Sequence, residues 1–291
     1  MYFLTQLLNG LGVGAIYALV ALGYSMVYGI VQLINFAHGD IIMVGSFTVY
    51  TILSWNFPVP VAVMGSILFC AIVGMIISRV AYQRLLNKGA PRIALLITAI
   101  GVSMLLQNLY QLIYGSGAKA VPRMFDLPAI TVGGVQISNT LLNIAVALVM
   151  MVLLQLMVGR TKTGKAMQAT SEDAGAATLM GINTSRIILF TFAIGSALAA
   201  VGSVLYNNTY QQITPYMGAM LGLKAFVAAV FGGIGSIPGA MLGGFILGIA
   251  EGLNNAYGNS VLTDAVVFGL LIIILLIKPA GLLGKHVREK V

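Results

Sequence analysis

Long apolar segments with almost no charge are the feature of this sequence that most limits its fold. Only 8% of the 291 residues are charged, whereas a soluble domain carries about a quarter. Continuous apolar runs indicate helices, and the alternating ten-residue pattern of a membrane barrel is absent. The sequence therefore predicts an all-α fold, a polytopic helical integral membrane protein in a lipid bilayer. The apolar segments are Leu4–Val27, Gly39–Leu53, Pro60–Ser78, Ile93–Tyr114, Leu141–Val158, Ile187–Tyr206, Met217–Phe231, Gly239–Leu253 and Ala265–Ile277.

The positions of the basic residues predict the orientation of the chain. Most of them fall in residues 79–92, 160–186 and 278–290, and basic loops beside membrane spans stay in the cytoplasm. The net charge of +8 therefore reflects orientation, and no nucleic-acid partner is expected. The C-terminus is predicted to be cytoplasmic, and nine spans would place the N-terminus outside.

Several apolar segments are short for a membrane span. Fifteen residues of helix extend about 22 Å, whereas the hydrocarbon core is about 30 Å thick. Gly39–Leu53 and the pair of segments around residues 217–253 are therefore candidates for re-entrant helices. If Gly39–Leu53 does not cross, the chain has eight spans and a cytoplasmic N-terminus. We expect eight or nine transmembrane helices, some of them short or re-entrant.

Charged residues inside the apolar segments are few, and such residues mark either function or pairing. Asp40 is expected to begin a helix, because an acidic side chain favours the positive helix N-terminus. Lys224 is expected to pair with Glu251 or Asp264; a substrate contact and a place near the outer mouth are the alternatives. His38 is an alternative candidate for a proton relay.

Small residues recur at a spacing of four in the last third of the chain. Gly235, Gly239 and Gly243 form one such ladder, and Gly244, Gly248 and Gly252 form a second. Small residues let helix backbones approach closely within a membrane. Helix packing is the expected role, with a pore lining as the alternative. No internal repeat is evident in the sequence.

Residues for metal or nucleophilic catalysis are too few to form a site. The chain contains two histidines and one cysteine, so neither a metal site nor a Ser/His/acid triad can be assembled. Residues 159–166 nearly match a phosphate-binding loop, but Ala166 lacks the hydroxyl required there, and a membrane segment precedes it. We expect no cofactor and no enzymatic activity; ATP would bind another chain.

The polar segment that follows contains a pattern that resembles a known coupling motif. Residues 175–181 resemble the EAA-type motif of ABC importer permeases, although Gly175 stands where Glu is usual and the downstream Leu-Pro is missing. An ordinary helical cytoplasmic loop is the alternative. The resemblance implies a cytoplasmic coupling loop over residues 159–186 that docks on an ATPase. Its candidate residues are Glu172, Asp173, Gly175, Ala176, Ala177 and Gly181.

Two further motifs give a more specific resemblance. The segment Leu33–Asp40, with Met43–Ser46 after it, and the segment Lys224–Phe226, with Phe231–Ala240 after it, are similar to the permeases of branched-chain amino-acid importers, most closely the H-type (LivH-like) subunit. The resemblance covers nearly the whole chain and implies one permease domain over residues 1–291. The candidate pathway or packing residues are Asn35, His38, Asp40, Lys224, Gly232, Gly233, Gly235 and Glu251.

The same resemblance implies partners and a function. It implies a second permease subunit in a heterodimer, two ATP-binding subunits and an extracytoplasmic solute-binding protein, assembled in the bacterial inner membrane. The implied solutes are leucine, isoleucine and valine; urea, amides and other amino acids are alternatives, because no motif recognises a side chain. An ion-coupled secondary transporter and a passive channel are rival classes, and a membrane-embedded enzyme is the least favoured.

Overall fold

The computed structural model describes residues 2–284 apart from residues 33, 126, 127, 129, 133 and 134. The helices are α1 (Tyr2–Val31), α2 (His38–Ser54), α3 (Val59–Ile77), α4 (Gln83–Asn87), α5 (Arg92–Tyr114), α6 (Ser138–Arg160), α7 (Lys162–Glu172), α8 (Ala174–Leu179), α9 (Thr184–Tyr210), α10 (Met217–Gly232), α11 (Ile237–Tyr257) and α12 (Thr263–Ile277). A π-helical turn, Ser78–Tyr82, joins α3 to α4, and a 3₁₀ turn, Ser260–Leu262, precedes α12. The basic tail beyond residue 284 and Leu33 of the first motif lie outside the described residues.

Among the described residues, four two-residue strands lie in the connections between helices. They are β1 (Lys119–Ala120), β2 (Thr131–Val132), β3 (Val135–Gln136) and β4 (Gln212–Ile213). β1 pairs with β4 in antiparallel register, Lys119 opposite Ile213, and β2 pairs with β3, Thr131 opposite Gln136. The first pair ties the α5–α6 connection to the end of α9.

In the part of the chain that the structure describes, seven helices are long and apolar enough to cross a membrane. They are Phe3–Val31, Val59–Leu86, Ile93–Tyr114, Ser138–Arg160, Thr184–Tyr210, Ile237–Tyr257 and Ser260–Ile277. The prediction of a polytopic helical membrane protein is confirmed, and every predicted apolar segment contains a helix. The number of spans and the side of the N-terminus stay predictions.

The short segments differ in how the structure extends them. α2 and α10 have 17 and 16 residues, about 24–26 Å of helix, in line with the expected short helices. α11 is longer than its apolar segment predicted, at 21 residues. It continues past Leu253 through polar residues and begins at Ile237, where Ser236 accepts a hydrogen bond from Gly239 N–H. The helix is therefore long enough to cross a membrane, and whether this segment is re-entrant stays a prediction.

α1 forms the centre of the bundle. It packs against α6, α9, α10 and α11, and its most apolar stretch is almost wholly buried. Its contact with α11 is made by glycines, because Gly10 faces Gly252 and Gly14 faces Gly248. Apolar lipid gives helices no hydrophobic reward for associating, so close backbone contact supplies the attraction. The packing role of the second glycine ladder is confirmed.

Two parts of the chain are arranged alike, although their sequences show no repeat. In each, a long helix, α1 or α9, leads through a turn to a short helix, α2 or α10, and then to α3 or α11. α1 packs on α11 as α9 packs on α3, and α2 crosses α10. α1 and α9 are antiparallel, since Gly23 meets Gly195 whereas Val20 meets Gly202. Such inverted repeats are common in transporters.

Candidate functional site

The turn between α1 and α2 is anchored by Asn35. Its side-chain oxygen accepts hydrogen bonds from the backbone N–H of Ala37 (3.1 Å) and from the hydroxyl of Tyr82 (2.7 Å). Asn35 is buried, and Tyr82 lies in the π-helical turn after α3. A buried amide that satisfies these donors stabilises a non-helical turn inside a helical bundle. Asn35 therefore positions the start of α2.

His38 is the first residue of α2 and is buried where α1 crosses α9. Its ring forms a hydrogen bond with the backbone of Val20. It also makes an edge-to-face contact with the ring of Tyr24, with the two ring centroids 4.7 Å apart. Its Nε2 has no hydrogen-bond partner in the described part of the chain, and it faces Gly23, where a Cβ would overlap the imidazole. This enclosure supports a packing role over a proton relay.

Asp40 lies in the first turn of α2, as predicted, and is fully buried. Its Oδ1 accepts a hydrogen bond of 2.9 Å from Nε2 of Gln107 on α5, and Ser103 interacts with the same carboxylate. The other oxygen, Oδ2, has no hydrogen-bond partner among the described residues. The sequence analysis did not identify Gln107 as a partner of Asp40.

A second polar contact of α5 is made by Gln111, one helical turn beyond Gln107. Gln111 and the hydroxyl of Tyr216 are 2.5 Å apart, with the hydroxyl donating to Oε1. Tyr216 stands just before α10 and is 48% exposed. Ser103, Gln107 and Gln111 follow a spacing of four and share one face of α5. The polar face of α5 therefore contacts the exposed Tyr216 at Gln111 and the buried carboxylate of Asp40 at Gln107.

Lys224 pairs with two carboxylates, which confirms the predicted pairing. Its Nζ lies 3.0 Å from Oε1 of Glu251 and 3.0 Å from Oδ1 of Asp264. The hydroxyl of Tyr17 donates a hydrogen bond of 2.8 Å to Oε2 of Glu251. These four residues, the ionic cluster, join α1, α10, α11 and α12. Because its ammonium group is paired with both carboxylates, Lys224 joins α10 to α11 and α12 in this conformation.

The glycine-rich turn between α10 and α11 forms a packing junction. Gly233 and Gly235 have φ of +107° and +91°, a backbone conformation that favours glycine. Gly232 directly faces Gly239, leaving no room for a side chain. The carbonyls of Phe231 and Gly232 accept hydrogen bonds from Leu282 and Leu283 N–H. The turn therefore connects these helices to the segment after α12.

The predicted coupling residues form two short helices joined at Asp173. This residue ends α7, and its carboxylate caps α8 by accepting a hydrogen bond of 2.9 Å from Ala176 N–H. Ala177 is buried, whereas Glu172, Gly175 and Ala176 are exposed. Gly181, with φ of +84°, ends the turn after α8, in the left-handed conformation typical of a helix C-terminus.

Two apolar side chains at the end of α8 were missed by the sequence analysis. Leu179 is 91% exposed and Met180 is 83% exposed. They are exposed because Ala177 supplies the contact with the rest of the chain, so the following residues point away. Large apolar side chains with this exposure, outside a membrane span, indicate a contact surface. In the sequence, an apolar Leu-Met pair within a polar segment could have identified these two residues.

The near-match to a phosphate-binding loop has a different structure. Residues 159–166 are the end of α6 and the start of α7, where Thr161 caps α7 by accepting a hydrogen bond from Gly164 N–H. A phosphate-binding loop joins a strand to a helix. Within the described residues, no group of three His, Cys, Asp or Glu could hold a metal ion.

Comparisons with known proteins match all or nearly all of this chain. The family model described as the branched-chain amino acid transport system permease component matches residues 6–276. The permease protein LivH of Salmonella typhimurium is 43% identical over 100% of this chain and 98% of its own. BraD of Pseudomonas aeruginosa is 44% identical over the same shares. A probable LivH of Methanocaldococcus jannaschii is 31% identical over 91% of this chain and 88% of its own. No solved structure matches. The chain belongs to the family of permease components of branched-chain amino acid transport systems.

Proposed function

We propose that this chain is a permease subunit of an ABC importer for leucine, isoleucine and valine in the bacterial inner membrane. Full-length similarity to LivH and BraD, both named as permeases of high-affinity branched-chain amino acid transport, carries the proposal. A second permease completes the pathway in a heterodimer. Two ATP-binding subunits supply the energy, and an extracytoplasmic binding protein delivers the amino acid.

The polar segment between α6 and α9 is the proposed contact with the ATPase. Its basic residues, Arg160, Lys162 and Lys165, support a cytoplasmic location. Leu179 and Met180 enter a groove on the ATPase, where burial of a large apolar side chain contributes about 1.5–3 kcal/mol. Nucleotide drives the permease only because the ATPase binds its two conformations unequally.

ATP-dependent accumulation tests the proposed function. The complete importer, reconstituted in proteoliposomes with binding protein supplied on one side, should accumulate radiolabelled leucine, isoleucine or valine only when ATP reaches the ATPase. Ionophores that collapse proton and sodium gradients should leave the initial rate unchanged. Accumulation that ignores ATP and stops with the ionophores would assign the chain to the ion-coupled class instead.

Replacing both Leu179 and Met180 with serine should reduce ATP-driven leucine uptake more than tenfold, because the ATPase loses its apolar contact. Membrane insertion and the yield of the permease pair should not change, since both side chains are exposed in the isolated chain. Uptake in proteoliposomes and co-purification of the ATPase measure the two effects. The double variant Val261→Ser/Leu262→Ser is a matched control, because these side chains are 84% and 54% exposed in the turn before α12. Wild-type uptake by the first variant would refute the contact.

A further inference from the structure

Asp40 lies where the two short helices of the repeated arrangement cross. A Cβ on Gly39 would be 2.6 Å from both the carbonyl oxygen of Gly218 and the Cα of Gly222. The backbones of α2 and α10 therefore touch, which holds Asp40 against the first turn of α10. A Cβ on Gly218 would be 3.0 Å from Oδ1 of Asp40. The carboxylate thus lies beside the first turns of both helices.

The crossing is deep within the bundle. The neighbouring His38 faces Gly23, eight residues before the end of α1, which corresponds to about 12 Å along that helix. Secondary transporters commonly bind their substrates between inverted repeats, where discontinuous helices begin inside the protein. The N-terminal ends of helices carry partial positive charge, which stabilises an ionised carboxylate beside them.

The carboxylate of Asp40 retains an unused acceptor. Gln107 donates to Oδ1 and Ser103 interacts with the group, but Oδ2 is buried without a hydrogen-bond partner in the described part of the chain. Lys224, on the same helix as Gly218, is held by Glu251 and Asp264. No ion pair to Asp40 occurs among the described residues. A buried charge with a free acceptor is costly, and within a membrane it marks a functional site.

α5 supplies a route to this carboxylate. It is a peripheral helix whose most apolar stretch is only 11% buried, so one side is free to face the second permease. Its polar face, Ser103, Gln107 and Gln111, leads to Asp40 from the hydrogen bond between Gln111 and Tyr216. Gln107 itself is partly exposed on this face.

We propose that Asp40 binds the α-ammonium group of the amino acid during its passage through the permease. This inference rests on the proposed function and names the site that the substrate contacts. Oδ2 accepts hydrogen bonds from the ammonium group, while Gln107 keeps the carboxylate in place through Oδ1. Tyr216 and Gln111 close the site on the side of the β1–β4 pair. The ammonium group is common to all three amino acids, so the site would recognise each of them.

The test compares Asp40→Asn and Asp40→Glu in the complete reconstituted importer. Asp40→Asn keeps the shape of the side chain and removes its charge, so leucine uptake should fall at least tenfold. Stimulation of ATP hydrolysis by leucine-loaded binding protein should persist, because docking and coupling do not use this residue. Asp40→Glu keeps the charge and should restore part of the uptake. Gln107→Leu should also reduce uptake, whereas the matched control Gln155→Leu, an exposed glutamine on α6, should not.

Wild-type protein provides a test that does not depend on the folding of variants. A diazirine analogue of leucine, photolysed in the importer arrested with a non-hydrolysable ATP analogue, should label peptides of α2 and of α5 around Ser103–Gln111. Labelling confined to other helices would overturn the inference, as would wild-type uptake by Asp40→Asn. An equal loss of uptake and stimulated ATP hydrolysis in Asp40→Asn and Asp40→Glu would show a structural role instead. If the wild-type importer accumulates none of the three amino acids, the proposed function itself fails.

Discussion

Replacing Lys224 with methionine should lower the free energy of unfolding of the permease by about 3–5 kcal/mol, the usual cost of removing one partner from a buried ion pair. The Lys224 side chain is 10% exposed and that of Glu251 is 15% exposed. Without the ammonium group, Glu251 retains only the hydrogen bond from Tyr17 among its described partners, and Asp264 adds a like charge nearby. The midpoint of thermal unfolding in detergent, followed by loss of the monodisperse species, measures the change.

Two variants distinguish loss of the ion pair from loss of the lysine side chain itself. Asp264→Asn should change the stability by only about 0–1 kcal/mol, because an exposed ion pair contributes little, and this side chain is 46% exposed. Adding Glu251→Gln to Lys224→Met should recover part of the loss, since no buried charge then lacks a partner. If the double variant is no more stable than Lys224→Met alone, the unpaired Glu251 charge does not cause the loss.

The pairing of Lys224 was predictable because a membrane span offers few charges. A buried lysine needs a carboxylate as its partner. After residue 224, the carboxylates in or directly beside the predicted apolar segments are those of Glu251 and Asp264. The position of Asp40 in a first helical turn was predictable for a similar local reason, since an acid favours a helix N-terminus. The helices themselves follow from continuous apolar runs, which no other soluble or membrane arrangement explains as well.

The partners of Asp40 could not be predicted from local sequence. Its position depends on contact between Gly39 and Gly222, which lie far apart in the chain. Gln107 stands among several polar residues of α5, and only the assembled bundle shows that it meets Asp40. The similar packing of α1–α3 and α9–α11 was also hidden, because it is a similarity of helix lengths and contacts, not of side chains.

The proposed coupling loop shows a different limit of sequence reasoning. The motif directs attention to small residues, and Asp173 and Gly181 do shape α8 by capping its two ends. Small residues determine how closely a helix can approach a neighbour, but they contribute little apolar area. The exposed area is on Leu179 and Met180. Their direction depends on Ala177 being the buried side of α8, which a six-residue helix without clear periodicity does not reveal.

The same reasoning about backbone contact leads to a second large effect. Gly248→Val should prevent stable folding of the permease, because a Cβ there would overlap the Cα of Gly14 and lie 2.5 Å from the carbonyl oxygen of Gly10. These are backbone atoms, so no side-chain rotation can relieve the overlap. Overpacking usually costs about 1–3 kcal/mol, and here α1 and α11 must separate along their whole contact. We expect at least a tenfold lower yield of folded protein, measured by size-exclusion chromatography after membrane extraction.

Gly269→Val is the matched control, because Gly269 is in α12 and has no atom within 4 Å of a Cβ built there. Both variants change the same residue type inside an apolar helix, so they share any effect of the valine side chain on helix propensity and membrane insertion. Gly269→Val should give close to the wild-type yield. Equal yields for the two variants would mean that α1 and α11 do not meet through their glycines. Gly248→Ala should fall between them, because its methyl group meets the same backbone atoms with less volume, and this order would show that backbone separation sets the stability of the bundle.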